Sequence, residues 1–199
     1  MNERMEMFKM VVVGESSVGK TCLSVRFTCR EYHDQPPTIG AEFTVNRIHV
    51  GDRLVKFQIW DTAGAEKYHC IAPMYYRNVQ AGLVVYDITS KNSYERAKSW
   101  VKELKESTER GVLIIIALAG NKADLEDERM VDSEEAQSYA KANGLMFMET
   151  SAKTGLNVND VFMELVKKLP KSEPTVEPTT TVVYGLERTI QHPRTNRCC

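Results

Sequence analysis

Residues 14–21 read Gly14-Glu15-Ser16-Ser17-Val18-Gly19-Lys20-Thr21. The stretch matches G-x-x-x-x-G-K-[ST], a loop whose backbone N–H groups cradle phosphates. Its context fits. The apolar run Phe8-Lys9-Met10-Val11-Val12-Val13 precedes it and the helical pattern Cys22-Leu23-Ser24-Val25-Arg26-Phe27 follows. A strand, a tight turn and a helix start bring several N–H groups to one point, and the helix dipole adds positive potential. Lys20 can then reach outer phosphates, and the Thr21 hydroxyl can ligate Mg²⁺. Ser16, Ser17, Val18, Gly19 and Cys22 complete the expected phosphate-binding set. Small side chains suffice at positions 16 and 17, and Glu15 reads as a solvated loop residue.

Working outward, apolar runs alternate with helical patterns. Strands are expected at 8–13, 45–50, 55–60, 83–87, 113–119 and 146–149, with a hairpin turn at Gly51-Asp52. Helices are expected at 21–29, 92–108, 133–143 and 158–169, the third capped at Ser133. The alternation predicts an α/β P-loop fold: a six-stranded, mostly parallel sheet with one antiparallel edge strand and about five helices. Ligands of such sheets bind beyond the carboxyl ends of the strands.

The chain has 199 residues, 42% hydrophobic and 27% charged, with a formal net charge of −1. That predicts one globular domain, spanning 8–169, after a short extension at 1–7. No global field recruits nucleic acid, so nucleic acid is not an expected partner, and the domain is expected to be monomeric. No apolar stretch reaches the about 18 residues of a membrane span. The polar start, Met1 to Glu6, lacks a signal-peptide core, which predicts a cytosolic chain with Cys22, Cys29 and Cys70 reduced. Residues 170–199 hold four of the seven prolines and little apolar periodicity, the composition of a flexible linker.

Three further motifs fall at predicted strand ends. Trp60-Asp61-Thr62-Ala63-Gly64 offers a carboxylate for Mg²⁺, directly or through water, and a glycine whose N–H can approach a terminal phosphate. In Gly120-Asn121-Lys122-Ala123-Asp124, one fixed carboxylate, Asp124, can accept from both N1–H and N2–H of guanine, which adenine cannot match. Lys122 can lay its stem over the ring, and Asn121 can tie this loop to residues 14–21. Ser151-Ala152-Lys153 can supply a backbone N–H to the base carbonyl.

With these residues in order, the chain resembles a Ras-superfamily small GTPase of the Rab family, over residues 8–169 and at the C-terminal cysteines. Thr38-Ile39-Gly40-Ala41, Ala72-Pro73-Met74-Tyr75-Tyr76-Arg77, Gly120–Leu125, Phe147–Lys153 and Lys167–Pro174 most resemble the early-endosomal branch. The resemblance implies a GTP/GDP switch that hydrolyses GTP with Mg²⁺. Thr38 resembles the switch I threonine, a metal ligand with Thr21 and Asp61, and Gly64 the switch II glycine. Tyr32, His33 and Asp34 fall where the family contacts ribose or phosphate. Phe43, Trp60 and Tyr75 match an aromatic triad that reports nucleotide state to effectors. Cys198 and Cys199 resemble a doubly prenylated end, two anchors giving stable attachment where one is marginal. Arg188, Arg194 and Arg197 add weak attraction to anionic lipid; unmodified thiols or a vicinal disulfide are the alternatives. Implied partners are an exchange factor, a GTPase activator, an escort protein, a dissociation inhibitor and tethering effectors. The implied location is the cytoplasmic face of endosomal or vesicle membranes, with cycling through the cytosol.

Two departures stand out. Ala65 occupies the position of the glutamine that orients the attacking water, which predicts slow hydrolysis. A locking substitution and natural divergence both fit it, and the rival reading is a non-hydrolysing GTP-binding scaffold. The Lys20-to-Thr38 spacing is one residue shorter than the family's, with Gln35-Pro36-Pro37 at the shortening. A metabolic kinase or ATPase on the same loop is the second rival, opposed by Asn121–Asp124.

Overall fold

A computed structural model of the chain describes residues 5–64, 72–107 and 114–170. The element order is β1 (Met5–Val13), α1 (Lys20–Cys29), β2 (Ala41–Val50), β3 (Arg53–Thr62), α2 (Ala72–Tyr76), β4 (Ala81–Asp87), α3 (Lys91–Ser107), β5 (Ile115–Asn121), α4 (Ser133–Ala142), β6 (Met146–Glu149) and α5 (Val158–Lys168). A 3₁₀ turn at Glu126–Glu128 follows β5. The strands form one sheet in the order β2-β3-β1-β4-β5-β6. Among the described residues only β2–β3 is antiparallel; β1–β3, β1–β4, β4–β5 and β5–β6 are parallel. The expected α/β fold, with its six strands, antiparallel edge and five helices, is what the chain adopts.

Side chains of successive strand residues alternate between the two faces, so β1 feeds two cores. Phe8, Met10 and Val12 pack with Leu23 and Phe27 of α1 and with Val161, Phe162 and Leu165 of α5. Val11 and Val13 pack on the other face with Tyr94, Trp100 and Leu104 of α3 and Ala136 and Ala140 of α4. Phe27 and Phe162 stack, with centroids 4.1 Å apart and planes 6° from parallel. All seven residues of β4 are buried, as a central parallel strand covered by helices on both faces requires. The sheet therefore offers one open edge of functional interest, the carboxyl ends of β1, β3, β4, β5 and β6.

Several boundaries differ from the sequence expectation. β1 starts at Met5, not Phe8, so residues 5–7 belong to the sheet and not to an extension. Its start pairs Met5 with Leu54, and Glu6 is buried against Arg53, whose Nε and Nη2 donate to its two carboxylate oxygens at 2.9 and 2.6 Å. An alternating polar start hid that strand. β2 likewise begins at Ala41, because the hairpin ladder continues from Val50↔Arg53 to Ala41↔Thr62. The cap of α4 is Asp132, whose Oδ1 accepts from the Glu135 N–H at 2.9 Å, not Ser133. α2 is the helix for which no range was expected, since five residues carry too little periodicity to register. Ala65, Cys70 and the whole linker with Cys198 and Cys199 lie outside the described residues.

Candidate functional site

The residues between β1 and α1 form a tight loop with two positions that only glycine fills without strain. Gly14 has φ 145° and a Cβ there would overlap the Val85 carbonyl. Gly19 has φ 95° and a Cβ would overlap the Asn121 amide. α1 begins at Lys20 with no side-chain cap on its first turn, which leaves first-turn N–H groups for an anion.

Lys20 is only 6% exposed. Its Nζ donates to the Glu15 carbonyl at 2.7 Å. Burial lowers its pKa to about 8, with Asp61 and Glu15 opposing. Asp61, at the end of β3, is 3% exposed, and burial raises its carboxyl to about 6. Neither carboxylate oxygen has a hydrogen-bond partner among the described residues. The Thr21 hydroxyl lies close enough to favour the ionised form, yet its 2.8 Å partner is Thr38. One orphaned carboxylate and two hydroxyls thus converge. These are hard oxygen donors of the kind Mg²⁺ takes alongside phosphate oxygens, and they fit that ion. Gly64 seals the same corner: a Cβ on it would lie 2.5 Å from both the Glu15 carbonyl oxygen and Lys20 Nζ.

The opposite end of the site is built from the β5 and β6 termini. Asn121 is 1% exposed and joins three segments. Its Nδ2 donates to the Val18 carbonyl at 2.8 Å. Its Oδ1 accepts from the Ala152 N–H at 3.2 Å and the Thr150 hydroxyl at 3.3 Å. Lys122 adopts φ 67° and its ammonium pairs with the buried Asp87. The Ser151 hydroxyl donates to Asp124 Oδ1, holding that carboxylate in place.

Between these ends lies a cleft of about 660 Å³, lined by Ser16, Ser17, Gly19, Lys20, Thr21, Cys22, Tyr32, Asp34, Thr38, Gly64, Asn121, Lys122, Asp124, Ala152 and Lys153. Val18, Ser151 and Asp61 are not among the lining residues; Val18 and Ser151 are bonded to it through Asn121 and Asp124. His33 does not join it. Its ring turns to Glu31, 3.2 Å away, and is 67% exposed, so the ribose or phosphate contact expected of it is not what its side chain makes. The Cys22 thiol, raised in pKa by burial, lies 3.8 Å from the His33 carbonyl. Gln35, Pro36, Pro37, Ile39 and Leu125 also line the cleft. Sequence reasoning did not assign them; adjacency to Thr38 and Asp124 was the only signal.

Outside the cleft, Trp60 stands between Phe43 and Tyr75, with centroids 4.9 and 5.4 Å away. Lys9 Nζ lies 5.3 Å from the Trp60 ring centroid. The three aromatics expected to act together are therefore in contact.

The Ras family model matches residues 9–171. With that span, the phosphate loop, the orphaned Asp61 and the Asn121–Asp124 loop around one cleft, the chain belongs to the Ras family of small GTPases, which bind GTP or GDP with Mg²⁺.

Proposed function

We propose that the chain is a Rab-type GTP/GDP switch on endocytic, early-endosomal membranes, with turnover slowed by Ala65. The observation that carries the reading is the single cleft at which a buried lysine, two facing threonine hydroxyls and a pinned carboxylate meet. In this reading Ser16 to Cys22 hold the phosphates, with Lys20 between the outer ones. Gly64 presents its N–H to the terminal phosphate. Thr21, Thr38 and Asp61 hold Mg²⁺, the last through water. When bound, that ion neutralises charge building between the two outer phosphates. Tyr32 and Asp34 cover the ribose side. Asp124 accepts from the guanine edge, Lys122 lies along the ring, and the Ser151-Ala152-Lys153 backbone meets the base carbonyl. Asn121 fixes the two halves to each other.

The Phe43–Trp60–Tyr75 contact supports the Rab assignment. It joins β2, β3 and α2, so a shift on the Thr38 or Gly64 side changes the surface a partner meets. Regulators of the kinds named above, and tethering effectors, are the expected partners. Two prenyl groups on Cys198 and Cys199 would hold the protein to the membrane, promoting docking and fusion.

Alanine at position 65 has no group to orient water. In Ras, activated hydrolysis exceeds the intrinsic rate by about 10⁵-fold and depends on that glutamine. The same residue favours the second reading, a GTP-binding scaffold that recruits effectors without turnover. Single-turnover hydrolysis of this chain and of Ala65→Gln, with and without an activator, separates them. Measurable turnover that rises in the variant supports the slowed switch, no turnover supports the scaffold, and equal rates remove the role of position 65. Competition in which ATP displaces GTP readily would sink both. Mass spectrometry of the C-terminus from the membrane fraction of its native cell tests the lipid anchors.

A further inference from the structure

Arg129 stands outside the cleft, just after the 3₁₀ turn, and its side chain is 19% exposed. Its Nε and Nη2 donate to the two carboxylate oxygens of Glu126 at 2.8 and 2.6 Å. Its Nη1 and Nη2 donate to those of Glu149 at 2.7 and 3.0 Å. The remaining Nη1 hydrogen goes to the Val131 carbonyl at 3.1 Å. Every N–H of the planar fork is thus committed. Two bidentate pairs fix direction as well as distance.

The partners flank the base-reading loops. Glu126 follows Asp124 by two residues, in the turn that closes on Lys122 through the 2.8 Å bond from the Leu125 N–H to the Lys122 carbonyl. Glu149 ends β6, two residues before Ser151. On the inner side the same loops are joined by Ala123 N–H to the Thr150 carbonyl at 3.0 Å and Thr150 N–H to the Gly120 carbonyl at 2.8 Å. Arg129 is the matching tie on the outer side.

We infer that Arg129 is a positioning residue for guanine recognition: it braces the loop of Asp124 against the loop of Ser151, so that the carboxylate stays aimed at the purine edge. The inference rests on the reading of Asp124 as the guanine acceptor. A displacement of about 1 Å at a recognition group is worth up to about a hundredfold, so a brace one turn away can set selectivity without touching the ligand. Lysine cannot replace it. Its three donors radiate from one nitrogen and cannot form two bidentate pairs with carboxylates in fixed planes.

The test compares release of fluorescently labelled GDP and IDP from the full chain in Mg²⁺ buffer. Inosine lacks the 2-amino group, so slower release of GDP than IDP measures what Asp124 reads. In Arg129→Lys the GDP-over-IDP advantage is expected to fall about tenfold. Glu126→Gln, on an exposed surface, is expected to move it the same way by a smaller factor, and decides the matter if Arg129→Lys does not fold. Equal acceleration of both nucleotides, leaving the ratio unchanged, overturns the brace, because a merely structural role predicts that result. If the unmodified chain itself releases GDP and IDP alike, the Asp124 reading fails and the brace with it.

Discussion

Replacing Asn121 by alanine tests the architecture of the cleft most directly. The substitution deletes a donor to the Val18 carbonyl at 2.8 Å and an acceptor shared by the Ala152 N–H and the Thr150 hydroxyl at 3.2 and 3.3 Å. At 1% exposure these partners lose their bonds without gaining bulk water. An unsatisfied buried group costs about 1–3 kcal/mol, the short bond to Val18 contributing most. A water entering the vacated space would recover part of this and sets the lower end of the range. The expected loss is about 3–5 kcal/mol, a large share of the about 5–15 kcal/mol that holds a domain together. For a domain of this size that is a fall in thermal midpoint of roughly 6–20 °C, read by scanning fluorimetry of the GDP-loaded protein. Guanine-nucleotide release should accelerate in parallel, since the bond to Val18 couples base recognition to the phosphate loop. Asn121→Asp is the companion variant. It keeps the acceptor but turns a carboxylate oxygen toward the Val18 carbonyl, and should destabilise at least as much. A midpoint shift below about 2 °C in Asn121→Ala, with release unchanged, refutes the coupling.

Three further outcomes are expected. Gly64→Ala places a Cβ 2.5 Å from the Glu15 carbonyl oxygen and from Lys20 Nζ, overpacking that costs about 1–3 kcal/mol; unchanged affinity for a GTP analogue would contradict it. In protein stripped of nucleotide and Mg²⁺, Asp61 keeps its proton to about pH 6 folded but loses it near 3.8 unfolded. Stability from this group is therefore full below pH 4 and declines by about 3 kcal/mol as pH rises through 6, a slope that Asp61→Asn should remove in urea titrations across that window. Phe162→Ala removes the ring stacked on Phe27 from a fully buried position and should cost about 3–5 kcal/mol, which a loss of unfolding free energy below about 1 kcal/mol in denaturant titration would rule out.

What was legible in the sequence was whatever is local and repeated. The phosphate loop shows because its glycines face a neighbouring carbonyl and amide that forbid a side chain, and that constraint leaves a fixed spacing. The Asn121–Asp124 loop, proposed to read guanine, shows because donor and acceptor chemistry restricts the residue types. β1 from Met5 to Met7 was not legible, since Glu6 is polar by type and buried only because Arg53, 47 positions away, neutralises it. The Arg129 tie was hidden for the same reason. Glu126 is near it in sequence, but Glu149 meets it only once β5 and β6 have paired. The His33 expectation followed alignment with a family whose switch I is one residue longer. Here the chain between Tyr32 and Thr38 runs through Pro36 and Pro37, and its polar side chains bond within the segment: the Tyr32 hydroxyl donates to Asp34 and the Gln35 amide to the His33 backbone carbonyl.

The two sides of the cleft are built to different stiffness, and that difference is what a switch needs. The base side is tied to the phosphate loop through Asn121, to itself through Ala123, Thr150 and Ser151, and from outside through Arg129. Among the described residues, the Thr38 and Gly64 side meets the phosphate loop and α1 through the Thr21–Thr38 hydroxyl pair, the long contact of the Cys22 thiol to the His33 carbonyl and the steric fit of Gly64 over Glu15. Beneath that side sit Lys20, which donates to the Glu15 carbonyl, and Asp61, whose carboxylate has no hydrogen-bond partner among the described residues. The protein therefore leaves two unmet electrostatic demands beside the less tied side of the cleft. A terminal phosphate answers Lys20 and a divalent cation answers Asp61, and both then draw on the Thr38 and Gly64 segments. Losing the terminal phosphate removes that draw while the base side stays as it was. In the proposed switch, binding can therefore persist through the change of state while the Thr38 and Gly64 side differs.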